Sequence, residues 1–343
     1  MVEAVDRRED HQRPFGALQR MDRADGQIVR PQAFLLQGPL QNGDLGLEGR
    51  DDGGDVLQAV SALVGDQLGA AVFGFSMQIV MGCGSGTLVN AGSGNALGLV
   101  ALPLFVVGSF LGTLHLDAWQ ALGSLPTISL SGTFGPSLAT VLTLAALAGV
   151  AVLAVLRAKP GQRLPERRLV LAAMLLAGLA VLNLVIAGQP WGVVYGLGLW
   201  GAKVAQAGGM DVVATTFWSA PANVERLEAS LLTDVTSLTN IGIIAGALIA
   251  ARWRRPVGPQ IAPLPLRAWM VAALAAIAMG YSSRLAFGCN VGAFYSGIST
   301  GSLHGWAWFP AAFAGALLAL RLRPWLGLEK REPAPLRQPA GAS

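Results

Sequence analysis

Residues Gly74 to Gly86 read GFSMQIVMGCGSG, and residues Gly280 to Gly292 read GYSSRLAFGCNVG. A shift of 206 positions places Gly74 on Gly280, Ser76 on Ser282, Gly82-Cys83 on Gly288-Cys289 and Gly86 on Gly292. Cys83 and Cys289 are the only two cysteines among 343 residues. Each copy has an apolar stretch before the Gly-Cys pair, a glycine three residues after the cysteine, small and hydroxylated residues, and then a long apolar run. This is one structural unit used twice.

The rest of the chain sets the solvent in which that unit works. With 53% hydrophobic and 13% charged residues, the composition is far from that of a soluble domain, where about a quarter of residues are charged. Mean hydropathy is +0.52. Charge-free runs such as Leu169 to Ala202 and Leu285 to Leu320 exceed the roughly 20 residues that one helix needs to cross the hydrocarbon core. They do not alternate polar and apolar residues as barrel strands would, so the expected class is an all-α integral membrane protein. The net charge of +4 sits in basic loops and concerns orientation rather than nucleic-acid binding. Two cysteines 206 residues apart suggest no disulfide framework. No phosphate-cradling or nucleotide motif is present, so neither a cofactor nor hydrolysis-driven uptake is expected.

Met1 to Asp55 holds 11 of the 20 acidic residues, has no sustained period and contains no signal-peptide pattern. It is read as a disordered tail or a misassigned start. The first repeat half is placed at 56–156: a crossing from Val56 to Met81, a broken or re-entrant stretch from Gly82 to Asn95, a span from Ala96 to Leu114, a loop or interrupted element from Asp117 to Pro136, and a span from Ser137 to Leu156. A basic loop at 157–168 follows. The second half is placed at 169–328, with spans at Leu169–Ala187, Trp191–Gln206 and Ser230–Ala251 and a half-helix within Asp211–Ala222. An apolar helix then leads to Cys289, a broken stretch runs to Gly305, and a final span covers Trp306–Leu320. The tail is 329–343. The loops around 157–168 and 252–267 and the C-terminal tail are basic, which places them in the cytoplasm.

A Gly-Cys-x-x-Gly at a helix break exposes backbone N–H groups and a helix end, which together attract anions. Half-helices meeting inside the bilayer are how many repeat-built transporters form their sites. Gly82, Gly84, Gly86, Gly288 and Gly292 let the backbone approach a solute, and Asn290 adds a polar side chain. The thiols add soft, polarizable sulfur, which points to a solute that itself carries sulfur. One such motif alone is better explained by helix packing or a buried free cysteine. Two, holding the only cysteines in equivalent positions of a repeat, shift the balance to function.

At these residues the chain resembles a known family. The run RLAFGCNVGAFYSGISTGSLHGWAWFPAAFAGALLALRLRPWLGL (Arg284 to Leu328), together with MGCGSGTLVNAGSGN (Met81 to Asn95), is similar to the YeeE/YedE membrane proteins, the thiosulfate or sulfur-compound transporters. The resemblance covers roughly Gly65 to Leu328. It implies a multi-span helical bundle in the bacterial inner membrane, with a pseudo-twofold inverted repeat. Re-entrant half-helices then carry the GCxxG motifs, and Cys83 and Cys289 hand thiosulfate across. It also implies a further N-terminal membrane segment, often bearing another cysteine, where this chain has Met1 to Asp55. The partners implied are thiosulfate or a similar sulfur-containing anion, the lipid bilayer and a cytoplasmic sulfur-accepting protein.

Other residues carry weaker signals. Arg284 lies at the position of Gln78 in the first unit; it either attracts the anion or snorkels or pairs as structure. Lys203 and Asp211 flank a break and either pair with each other or meet the solute. His304 reads as an interfacial or packing residue, and Trp306 and Trp308 as interface anchors. His11 and His115 lack the spacing of a metal site. Asp234 and Asn240 are candidates for lining the cavity. Two other function classes stay open: a membrane sulfurtransferase carrying a persulfide, for which neither motif supplies a local base, and a passive anion channel with incidental cysteines.

Overall fold

A computed structural model describes residues 52–121, 128–159, 165–253 and 264–328, with side chains from residue 65 onward. The tail expected at 329–343 and almost all of the polar stretch at 1–55 lie outside the described residues, as do parts of both basic loops.

The order begins with α1 (Asp52–Val80), α2 (Gly84–Gly92) and α3 (Ala96–Leu114). Two short helices follow, α4 (Leu116–Gln120) and α5 (Leu130–Phe134), and then two long ones, α6 (Pro136–Arg157) and α7 (Arg167–Ala187). The central part consists of α8 (Val194–Ala207), α9 (Thr216–Ser219), α10 (Pro221–Glu228) and α11 (Val235–Trp253). The end of the chain holds α12 (Leu266–Leu285), a π-helix (Asn290–Ser296) running on into α13 (Gly297–Ser299), and α14 (Leu303–Leu322). Among the described residues seven stretches are long and apolar enough to cross a bilayer. This is a multi-pass membrane protein.

Helices α6 and α7 make the membrane reading physical. Ala139 is the buried residue of α6 and α7 has none, while Leu171, Val185 and Ile186 are 62%, 75% and 76% exposed. Helices that are apolar all round and unburied by protein are stable only against hydrocarbon.

The first and last helical groups repeat each other. α1, α2 and α3 correspond in order to α12, the π-helix with α13, and α14. Up to the cysteines the offset is 206. Beyond the break it is 207, which brings Gly94 (φ 80°) onto Gly301 (φ 76°), Asn95 onto Ser302, both preceding a helix, and Pro103 onto Pro310, both inside a helix. A π-helix widens the turn to hold one extra residue. Gly84–Gly92 is α-helical and Asn290–Ser296 is π-helical, so the extra residue is housed in the second copy.

Contacts are exchanged between the copies: α1 packs on α14, α12 packs on α3, and α1 packs on α12. In lipid there is no hydrophobic drive between helices, so close approach depends on small residues. A methyl on Gly74 would overlap the backbone of Ala312, and one on Gly315 the backbone of Ala71. At the partner crossing a methyl on Gly280 would overlap Phe105, and one on Gly108 would overlap Ile277. The same glycine-on-backbone device closes both crossings.

Two expectations change and a third is met. The stretch Asp211–Ala222 is a run of turns leading into α9 and α10, because Gly208 and Gly209 stop α8 and Pro221 starts a new helix at its first turn. Trp308 is a core residue rather than an interface anchor: it is buried, with its ring 5.8 Å from Phe73 and 6.3 Å from Phe294. The interrupted element after Asp117 does form, as α4 and α5. A Ser129–Ser302 bridge ties its second part to the start of α14, through Leu130 N to Gly301 O (2.8 Å) and Leu303 N to Ile128 O (3.1 Å).

Candidate functional site

Each Gly-Cys pair closes a short connection after a helix terminus, of three residues after α1 (Met81–Cys83) and four after α12 (Ala286–Cys289), and the two connections open with the same turn. At the end of α1, Gly82 N donates to Met77 O (3.1 Å); at the end of α12, Gly288 N donates to Ser283 O (2.9 Å). These are the six-to-one bonds of a Schellman motif. That motif needs a left-handed residue, usually glycine, yet here it is Met81 (φ 61°) and Phe287 (φ 51°). Each costs about 1–2 kcal/mol relative to ordinary backbone. The same strain is held at the same place in both copies.

The glycines that follow are forced. A Cβ on Gly82 would come 3.1 Å from Gly86 C and Thr87 N; on Gly288 it would meet Ala293 N at 2.7 Å and Gly292 C at 3.2 Å. The chain turns so tightly into the next helix that the first turn occupies the place of a side chain. Cys83 (φ −79°, ψ −170°) and Cys289 (φ −109°, ψ −171°) are then extended and cap their helices. Their carbonyls accept from Thr87 N (2.8 Å) and Ala293 N (2.8 Å), but neither side chain bonds a first-turn amide. The amides opening both helices are therefore left without a side-chain cap.

The two connections meet. A Cβ on Gly84 would lie 3.2 Å from Cys289 Sγ and 3.6 Å from Val193 Cγ1. Thus the second cysteine's sulfur rests on the residue directly after the first cysteine, with the start of α8 closing the group. Cys289 is fully buried and Cys83 half-buried. Cys83 Sγ is 3.4 Å from Ser85 Oγ, and Gly86 lies beside the same sulfur, 3.7 Å from a Cβ built there. Asn290 Oδ1 and Trp191 Nε1 are enclosed without partners, Trp191 O accepts from Ser296 Oγ of the π-helix (2.7 Å), and a Cβ on Gly292 would meet open space. The thiols offer soft sulfur, and the uncapped helix starts and the Trp191 indole N–H offer donors suited to acceptor oxygens.

The other sequence candidates fall in two places. Arg284 lies between α3 and α8: its Nε donates to Ser109 Oγ (3.2 Å), and its guanidinium stands over the rings of Tyr195 (5.7 Å) and Phe217 (5.4 Å). Lys203 and Asp211 do not pair. Lys203 Nζ donates to Leu227 O (2.5 Å) and Ala229 O (2.6 Å), and Asp211 Oδ1 accepts from Ala214 N (3.3 Å). Asp234 is buried as the cap of α11, accepting from Ser237 N (2.7 Å) and Thr236 Oγ1 (2.6 Å), with Arg226 at 3.4 Å. Asn240 reaches Val193 O (2.9 Å) behind the cysteine group. His304 Nε2 meets Ala286 O (3.2 Å) at the end of α12, which makes it a packing residue of the second connection. Among the described residues no cluster of histidine, cysteine or carboxylate side chains could hold a metal ion.

Sequence reasoning missed Ser85, Val193, Ser109 and Tyr195. Ser85 is visible inside GCGSG; the tertiary fold alone brings Val193 to Gly84 and Ser109 and Tyr195 to Arg284.

Comparison with known proteins adds a class of cargo. The profile of a family described as "Sulphur transport" matches residues 54–318. Over 137 residues the chain is 31% identical to the probable transporter YedE of Escherichia coli (strain K12), a stretch covering 37% of this chain and 33% of that protein. The chain thus spans about one third of the YedE relative's length. It is 26% identical over 272 residues to the thiosulfate transporter TsuA of Spirochaeta thermophila, covering 71% of this chain and 73% of TsuA.

Proposed function

Since the chain belongs to the sulphur-transport (YeeE/YedE) family, we propose that it carries thiosulfate, or a closely related sulfur-containing anion, across the bacterial inner membrane, passing it between Cys83 and Cys289. The observation that carries this reading is the contact of Cys289 Sγ with Gly84. It brings Cys289, 206 residues from Cys83 in sequence, against the residue that follows Cys83, where two helices begin.

The chemistry follows from what a dianion needs in hydrocarbon. Its hydration shell must be replaced in stages, because an unpartnered charge there is prohibitive. The thiols meet the terminal sulfur by weak S–H contacts, and the uncapped amides near Gly84–Gly86 and Asn290–Gly292 meet the sulfonate oxygens. Weak contacts at two adjacent stations let the anion leave as readily as it arrives. Cys83, the more exposed thiol, is the accessible station and Cys289 the enclosed one.

The paired connections and exchanged helix contacts support an inverted repeat with a pseudo-twofold axis, each half contributing one re-entrant GCxxG half-helix, with halves at 56–156 and 169–328. The basic loops and the C-terminus then face the cytoplasm, where a sulfur-accepting protein receives the cargo.

The test is growth on thiosulfate as sole sulfur source, with uptake of 35S-thiosulfate, in a cell lacking other thiosulfate uptake. The cell expresses this chain or its Cys83→Ala or Cys289→Ala variant. Rescue by the parent and loss in both variants is expected. Normal uptake by both variants overturns the relay, and dependence on one cysteine alone, with sulfur arriving detached from sulfite, indicates a persulfide carrier.

A further inference from the structure

The thiol relay leaves the burial of Arg284 unexplained. Its side chain is admitted into the bundle by two glycines on two other helices. A Cβ on Gly112 of α3 would come 3.0 Å from Arg284 Cβ and Cγ, and a Cβ on Gly198 of α8 would overlap Nη2. Inside the slot Nε is satisfied by Ser109 Oγ, but Nη2 is enclosed and has no hydrogen-bond partner. Neither is there a carboxylate for it: the ion pair among the described residues is Arg226–Asp234, and the Tyr195 hydroxyl, whose ring faces the guanidinium, is held by Asn223 Oδ1 (2.8 Å).

A guanidinium enclosed in an apolar bundle without a counterion is strongly unfavourable. Arg284 lies in the last turn of α12, where the helix dipole helps, but a dipole supplies no acceptor for Nη2. A mobile anion supplies both charge and acceptor.

We propose that Arg284 and Ser109, beneath the rings of Tyr195 and Phe217, form a separate oxyanion station that takes the charged, oxygen-bearing end of a small tetrahedral sulfur oxyanion. The proposal rests on the reading of the chain as an anion carrier, but not on its sulfur chemistry: the thiols recognise sulfur, whereas Arg284 recognises charge. The two stations are neighbours. Val193 touches the Gly84–Cys289 contact and Tyr195, two residues on, lies under Arg284; two residues span at most about 7 Å. The charges also match. Two helix starts supply together about one positive charge, half of what a dianion requires, and Arg284 supplies the other.

The test measures binding of sodium thiosulfate and sodium sulfate to the purified full chain in nanodiscs, by calorimetry and by the anion-induced rise in melting temperature. Sulfate has the charge of thiosulfate and carries an oxygen where thiosulfate carries its terminal sulfur. Expected is binding of both anions by the parent, with Arg284→Gln weakening both by about tenfold or more. Gly198→Ala, which displaces Nη2 while keeping the charge, weakens both less. The double variant Cys83→Ala/Cys289→Ala loses the preference for thiosulfate but keeps sulfate binding. If thiosulfate is not preferred by the parent and Arg284→Gln still weakens sulfate, the oxyanion station stands and the thiol relay falls. If Arg284→Gln and Gly198→Ala bind both anions as the parent does, the station is overturned. It is overturned equally if Arg284→Gln only lowers the melting temperature in anion-free buffer and leaves the anion-induced rise intact.

Discussion

Gly84 and Cys289 are in contact with no space for a side chain between them: a methyl on Gly84 would stand 3.2 Å from the sulfur. The residue after one cysteine is thus a wall of the other cysteine's site. That contact depends on the absence of a single carbon at Gly84.

Gly84→Ala separates transport from stability. Gly84 opens α2, where alanine is the better helix former by about 0.5–1 kcal/mol. The added methyl pushes on Cys289 Sγ and on Val193 Cγ1, 3.6 Å away. The expected result is a melting temperature equal to or above that of the parent, with thiosulfate uptake reduced about tenfold or more, since displacements of this size disrupt positioned sites. Thermal denaturation in detergent and 35S-thiosulfate uptake check the two halves. Unchanged uptake would show that the sulfur contact is not on the path.

Met81→Gly is expected to stabilise the protein. Met81 has φ 61° and is 56% exposed, so its side chain contributes little packing to set against the left-handed strain. Relief of that strain is worth about 0.5–1 kcal/mol after the added freedom of the unfolded chain is counted. Phe287→Gly, at the equivalent position, is expected to give no gain. Its ring stands edge-on to His304 at 5.6 Å, which in turn holds Ala286 O, and those contacts are lost. Melting temperatures of the two variants in the same detergent decide the point.

The repeat, the membrane class and the two breaks were legible because they reside in composition and in residues close in sequence. Gly-Cys followed by a glycine is readable without a fold. The 207-residue offset after the break was not, because GSGTLV and NVGAFY give no periodic cue for where an extra residue lies, and only the π-helix at Asn290–Ser296 locates it. Lys203 and Asp211 looked like a pair because they are eight residues apart around a break. In the fold Lys203 turns to the carbonyls that end α10, which no local pattern in WGAK announces. Trp308 looked like an interface anchor by type, whereas its place on the face of α14 turned toward Phe73 makes it core.

The two helix crossings should respond alike to enlargement. Gly74→Leu overlaps the backbone of Ala312, and Gly280→Leu overlaps that of Phe105, at corresponding places in α1 and α12. Backbone cannot yield as a flexible side chain does, so each is expected to cost about 1–3 kcal/mol or more. The falls in melting temperature should be similar. A large fall in one and none in the other would show that the two crossings do not share the load, and would count against a pseudo-twofold design.

Lys203→Met tests whether this cation belongs to the pathway or to the scaffold. Its ammonium donates to Leu227 O and Ala229 O at 2.5 and 2.6 Å, satisfying carbonyls where α10 ends. A methionine of similar length keeps the packing of the stem and removes both bonds, for a stability loss of about 1–3 kcal/mol. Since Lys203 points at carbonyls rather than at the thiols, the KM for thiosulfate should stay within about twofold of the parent, the mark of a residue that does not bind the cargo. Asp211→Asn, which leaves its Oδ1 able to accept from Ala214 N, should change stability by less than about 0.5 kcal/mol. A rise in KM in Lys203→Met without a fall in melting temperature would move Lys203 into the anion path and require α8 to turn its ammonium away from α10 during transport.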